Sequence, residues 1–236
     1  MRLAEVIDVS KLVTVNSKLN PKLWNDGELD AQVKAKLLEI AQAFEEFIGI
    51  DLNVIDYTVT GSNANYTWTK FSDLDLHLIV KGQVTDEARE LFTAKKALWT
   101  EIHDIKIKGM PVECYVQGSE EPHHSTGVYS LVKNTWLAEP KKVKPKIDDA
   151  AVRAKTDSAV HDIETALLKR DLETLRKVKK KITTMRKAGL ERAGEWAVEN
   201  LVFKVLRNIG LIDQLTEVIA ELEDQELSLE QTQHLD

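Results

Sequence analysis

The sequence of 236 residues is 43% hydrophobic and 30% charged, a composition that excludes disordered, collagenous and membrane-spanning classes and allows one large or two modest domains. The formal net charge of −7 is unevenly spread: residues 1–140 carry 14 basic and 21 acidic side chains, residues 141–192 carry 16 and 8, and residues 193–236 carry 2 and 10. Cys114 is the single cysteine, which excludes an intrachain disulfide and a multi-cysteine zinc site built from this chain.

The opening MRLAEVIDVSKLV has no long apolar stretch and no small-residue cleavage site, and no later segment reaches the apolar length of a bilayer span. The expectation is a cytoplasmic protein with no membrane partner. After a short apolar patch at Val6 to Val15 come LNPKLW and the pair Asp26-Gly27, which mark turns. From Glu28, apolar Val33, Leu37, Ile40, Ala41, Phe44 and Phe47 recur at helical steps, and Gly49 supplies a stop. Val54 to Thr60 reads as a strand. Ser72 to Val80 reads as another, in which Leu74, Leu76, Leu78 and Val80 alternate with Asp73, Asp75, His77 and Ile79. A helix over Asp86 to His103 and a hairpin of Asp104 to Lys108 with Val112 to Gln117 follow, then a short strand at Gly127 to Leu131. In the second arm of that hairpin Glu113, Tyr115 and Gln117 share a face.

Residues 139–148, with two prolines and four lysines in Glu139 to Lys146, read as a linker. Beyond it the periodicity is helical: Val152, Val160, Ile163 and Leu167; Leu172, Leu175, Val178, Ile182 and Met185; Ala197, Leu201, Val205 and Ile209; then Leu211 to Leu222. Gly189 and Gly210 stand where helix ends are expected, and the last dozen residues are polar and acidic. The fold class is therefore α/β, a mixed-sheet domain with an N-terminal helix over residues 1–138, followed by a helical bundle over 149–236 with a polar acidic tail.

The stretch that carries chemistry runs from Val59 to Leu76. A strand ends in Gly61-Ser62, where glycine lets the backbone approach a ligand and the next residues can open a helix whose free amides favour phosphate. The next strand aims Asp73 and Asp75 the same way, a pairing suited to hard divalent cations. Gly61-Ser62, ten intervening residues and Asp73-Leu74-Asp75, with a third carboxylate in Val112-Glu113-Cys114-Tyr115-Val116, resemble the DNA polymerase beta-like nucleotidyltransferase superfamily. That resemblance covers about residues 54 to 117. LNPKLW and GVYSLVKNTWL resemble, more loosely, phage-encoded members.

The resemblance implies a mixed-sheet nucleotidyltransferase domain and a two-metal mechanism: Asp73, Asp75 and Glu113 hold Mg2+ or Mn2+, while the Gly61 amide and Ser62 hold the outgoing phosphates of a nucleoside triphosphate such as ATP. Lys70 is a candidate for added positive charge there, although a solvent-facing loop lysine is an equal match for the pattern. Tyr66 and Trp68 are candidates for base stacking or for the core. His77 stands beside the aspartates, and His123-His124 reads as a surface loop rather than a metal site. The acceptor hydroxyl is open. An RNA 3′ end would suit the basic cluster Arg176, Lys177, Lys179, Lys180, Lys181, Arg186 and Lys187, although a solvated helix face rich in lysine is the reading favoured for the belt over 141–192; a protein or a small molecule is the alternative acceptor. Two rival functions remain at this point: a nucleotide-sensing or partner-binding module, and a synthetase that transfers pyrophosphate.

Overall fold

The computed structural model describes residues 15–70, 72–123, 125–142 and 147–228. They fall into two compact units divided near residue 145, each described by itself. The patch Val6 to Val15 lies almost wholly outside the described residues, as do His124, the middle of the expected linker and the end of the acidic tail.

In the first unit, the short strands β1 (Trp24–Asn25) and β2 (Glu28–Leu29) pair as a hairpin around Asp26-Gly27. Helix α1 (Ala31–Ile48) starts where the Asp30 carboxylate accepts from the amides of Gln32 and Val33, and stops at Gly49 in the left-handed region, φ 79°. Strands β3 (Val54–Thr60) and β4 (Leu74–Val80) pair antiparallel, helix α2 (Asp86–Ile102) follows, and β5 (Lys106–Ile107) turns back into β6 (Met110–Gly118). Strands β7 (Val128–Ser130) and β8 (Thr135–Ala138) complete a six-stranded mixed sheet in the order β5-β6-β4-β3-β7-β8. Among the described residues only β4 and β6 pair in parallel, because α2 crosses between them.

The alternation read in the sequence separates the two faces of this sheet. Leu74, Leu76 and Leu78 of β4 and Cys114 of β6 are fully buried or nearly so against α1 and α2, with Phe44 and Trp99 between them. Each such leucine contributes roughly 1.5–3 kcal/mol by leaving water. On the other face stand Asp75 and His77 of β4, Glu113, Tyr115 and Gln117 of β6, and Thr58 and Thr60 of β3. The carboxylates are thus delivered by the same pattern that builds the core.

Among the described residues the second unit holds four α-helices: α3 (Asp149–Lys169), α4 (Leu172–Ala193), α5 (Val198–Asn208) and α6 (Leu211–Leu227). Asp148 and Asp171 cap the first two through the amides of Ala151 and Thr174. Val152, Ile163, Leu175, Ile182, Leu201, Leu206 and Leu215 form the core of this unit. One expectation is corrected. Gly189 does not end a helix: α4 continues to Ala193 and stops at Gly194, φ 68°. A Cβ at Gly189 would lie 2.7 Å from that of Glu199, so the glycine serves close approach of α5. Helix α6 also runs past the amphipathic stretch Leu211 to Leu222, to Leu227. No helix among the described residues is long and apolar enough to cross a membrane.

Candidate active site

Three elements deliver the acidic residues to one place. Asp75 lies in β4 with Asp73 just before it, and the parallel register sets Glu113 of β6 directly beside Asp75. One carboxylate oxygen from each of Asp73, Asp75 and Glu113 lies within 4.8 Å of the other two. On the opposite side of β4, Thr60 of β3 pairs with Asp75 and leads into Gly61. Gly61 has φ 72°, and a Cβ there would fall 1.7 Å from Oδ2 of Asp75. Glycine is required both by its conformation and by that contact. A group bound at Asp75 therefore rests against bare backbone.

The turn after Gly61 is shorter than expected. Ser62–Ala64 forms a single 3-10 turn rather than an α-helix. Its Gly61 amide donates to Oγ of Ser125 at 3.1 Å, and the Ser62 hydroxyl donates to Oγ of Ser72 at 2.7 Å. Ser72 in turn accepts from the Thr69 amide at 2.9 Å. In this structure both groups expected to face phosphate hold the loops together, and phosphate would have to displace Ser125 to reach the Gly61 amide. Lys70 is exposed. Trp68 donates through Nε1 to the Lys18 carbonyl, and Tyr66 lies under the Lys142 ammonium at 4.8 Å, so neither aromatic is in the core.

Several residues that the sequence did not single out position the site. Lys96 reaches from α2 to Oε2 of Glu113 at 2.6 Å, with its ammonium 3.5 Å from the centroid of the Tyr115 ring. The Tyr115 hydroxyl donates to the same Oε2, also at 2.6 Å. Buried Asn63 donates to the Asp73 carbonyl at 2.7 Å while Asn20 donates to its Oδ1 at 2.8 Å and Trp24 to its carbonyl at 2.7 Å. Asn20 and Trp24 belong to LNPKLW, and Trp24 stacks on Trp136 and meets Tyr129 edge-on. The two segments flanking the motif thus meet each other and brace the turn that precedes Asp73.

Electrostatics follow from burial and crowding. Desolvation, then the charges of Asp73 and Glu113, push the Asp75 carboxyl up to about 7. Glu113 also feels burial, but hydrogen bonds from Lys96 and Tyr115 outweigh it and hold this carboxyl below its usual range. Desolvation and the adjacent carboxylates raise the Tyr115 phenol, keeping it a donor. His77 stacks on Tyr115 and shares Nδ1 with Oε1 of Gln117 at 2.8 Å; burial pulls it down to about 4, so it is neutral at physiological pH. On the core face, burial pushes the Cys114 thiol up to about 12, which makes it a packing residue. His123 is exposed and its Nδ1 lies 3.5 Å from Gln117 Nε2.

Three carboxylates meet around one point with the Lys96 ammonium as a partial counter-charge, one of them has a strongly raised pKa, and oxygen-only donors match a hard divalent cation. The residues fit Mg2+ or Mn2+. The basic cluster on α4 is a different case, because much of its charge is spent locally. Arg176 pairs with Glu223, Lys177 with Glu173 and Lys181 with Asp162, while Arg186 bonds Asn200 and lies over the Phe203 ring.

No known family matches this chain, and no curated protein does. Two solved structures are similar to it at low scores. One is the STING-associated CdnE c-di-GMP synthase from Capnocytophaga granulosa, with 15% identity, TM-score 0.23, and 97% of this chain and 81% of that chain covered. The other is spectinomycin adenyltransferase AAD(9) from Enterococcus faecialis with ATP and spectinomycin, with 12% identity, TM-score 0.26, and 87% and 94% covered. Likeness at this level does not assign an activity to this chain.

Proposed function

We propose that this protein is a metal-dependent nucleotidyltransferase that moves a nucleoside monophosphate from a nucleoside triphosphate to an acceptor hydroxyl. The observation that carries it is the meeting of Asp73, Asp75 and Glu113 against the bare backbone of Gly61. In the reaction the acceptor oxygen bonds to the α-phosphorus, the bond from that phosphorus to the bridging oxygen breaks, and pyrophosphate leaves with the electron pair. The hydroxyl proton passes to solvent. Bound divalent ions would neutralise the phosphates and make the acceptor hydroxyl more acidic. Asp73 and Asp75 would hold them, and Glu113 would complete the set.

The chain's own groups supply the positioning on which such a transfer depends. Tyr115 and Lys96 fix Oε2 of Glu113, each at 2.6 Å. Asn63 fixes the backbone at Asp73. Gly61 gives the polyphosphate room beside Asp75, with Ser62 and Lys70 as candidate phosphate contacts once the Ser62 hydroxyl turns from Ser72.

The test incubates the full chain with magnesium, α-labelled nucleoside triphosphates and separate pools of RNA, protein and small metabolites. Magnesium-dependent pyrophosphate release with label in one pool is expected. Nucleotide bound with no pyrophosphate released would instead identify a sensing module, and AMP as the by-product would identify pyrophosphate transfer.

A further inference from the structure

We propose that Lys96 stands in place of a second divalent ion at Glu113, so that the cluster of Asp73, Asp75 and Glu113 works with one bound divalent cation. The inference rests on the nucleotidyl-transfer reading of that cluster. It departs from the two-metal arrangement that the sequence resemblance implies.

The geometry at Glu113 carries it. Lys96 Nζ lies 2.6 Å from Oε2 of Glu113, and the Tyr115 hydroxyl donates to the same oxygen at 2.6 Å. A carboxylate oxygen offers about two lone-pair sites, and these two short donors fill them. A metal ion coordinated at Oε2 would have to expel an ammonium and a phenol together. The ammonium is gripped from another direction as well, since it lies 3.5 Å from the centroid of the Tyr115 ring, within cation–π range. Its helix is anchored by the preceding residue: Lys95 donates to the Phe47 carbonyl at 3.1 Å and lies 5.1 Å from the centroid of that ring. The two adjacent lysines tie α2 to the end of α1 and to β6, which fixes the helix about its axis.

Charge agrees with the geometry. Of the chain's own groups, three carboxylates and one ammonium leave two negative charges, which one divalent ion balances. A second ion would meet the Lys96 ammonium at short range in a half-buried site, without a carboxylate of its own. Burial, then Asp73 and Glu113, raise the Asp75 carboxyl, and the Lys96 charge opposes them, so the ammonium acts on the whole cluster and not on Glu113 alone. Burial keeps His77 neutral, so it adds no charge. Glu113 thus completes the set by holding a fixed cation supplied by the chain, and Asp73 and Asp75 are the residues that would hold the exchangeable one.

The test counts the manganese ions bound per full chain at saturation, with a non-hydrolysable triphosphate present, by electron paramagnetic resonance of the free ion. Wild type, Lys96→Arg, Lys96→Met and Lys96→Gln are compared, each checked for folding by circular dichroism. Wild type and Lys96→Arg, which keep the positive charge, are expected to bind one ion. Lys96→Met and Lys96→Gln, which free Oε2 and remove the charge, are expected to bind two. A purely structural role for Lys96 would leave the count unchanged. Two ions on the wild type, or a single ion on a folded neutral variant, would overturn the assignment while nucleotidyl transfer stands. Uptake by none of the four proteins would remove the cation site, and the transfer reading with it.

Discussion

Replacing Asp75 by Asn is expected to stabilise the cation-free protein at alkaline pH. Burial beside Asp73 and Glu113 raises the Asp75 carboxyl from 3.8 to about 7. Between those values the folded chain keeps a proton that the unfolded chain has released. Stability therefore falls as pH rises through the window, and the whole cost is present above about 7. About three units at ~1.36 kcal/mol each set a ceiling of ~4 kcal/mol. Sharing of charge among three carboxylates and partial solvent contact reduce it, so a gain of ~2 kcal/mol is expected at pH 8, worth roughly 4–8 °C in Tm for a chain of this size. Thermal unfolding by circular dichroism in chelator, at pH 5 and pH 8, measures it. The gap between Asp75→Asn and wild type should widen towards pH 8, and added magnesium should stabilise the wild type alone. A gap independent of pH, or a variant less stable than wild type at pH 8, would refute the crowding of charge at this position.

Gly61→Ala would place its methyl group 1.7 Å from Oδ2 of Asp75 in a left-handed conformation. Urea unfolding should show a loss of about 2 kcal/mol or more, and pyrophosphate release should fall with it. Lys96→Met removes the ammonium that holds Glu113 low against burial. The Glu113 carboxyl then rises, and because the ionised form is the one needed, the acid limb of kcat/KM against pH should move to higher pH. In the helical unit, Glu199 receives Lys155 and Arg192 at 2.7 Å each, and the Lys155 hydrogen bond leads in holding its carboxyl down at about 2. Glu199→Gln should cost ~1.5–3 kcal/mol at pH 7 by chemical denaturation. That stability is present above the ordinary glutamate pKa and is lost as pH falls towards 2, so the difference should close in acid.

Alternation in Ser72 to Val80 and in Val112 to Gln117 made the two sheet faces legible, because period two is a local property of strands. The meeting of Glu113 with Asp75 was expected from the resemblance alone and not from periodicity, since it depends on a parallel register set by the crossover of α2. Lys96 escaped notice for the same reason: nothing in the helical pattern of Asp86 to His103 says which strand edge this lysine reaches. Asn20 and Asn63 stand 43 residues apart, and only the fold joins them. Gly189 was misread because a helix end and a close helix contact both call for glycine, and only the neighbouring Glu199 distinguishes them. Strand β8 was missed because its four residues, Thr135 to Ala138, are too few for periodicity to register. In one dimension the basic belt matched both a solvated helix face and a phosphate surface, and the pairing of Arg176 and Lys181 with Glu223 and Asp162 from other helices could not be read there.

Manganese titration followed by electron paramagnetic resonance is the most direct test of the carboxylate cluster. Wild-type protein with a non-hydrolysable triphosphate should deplete the free-manganese signal, and the Asp73→Asn, Asp75→Asn double variant, folded by circular dichroism, should leave it nearly intact. Equal uptake by the two proteins would show that the cation does not sit where these three residues meet.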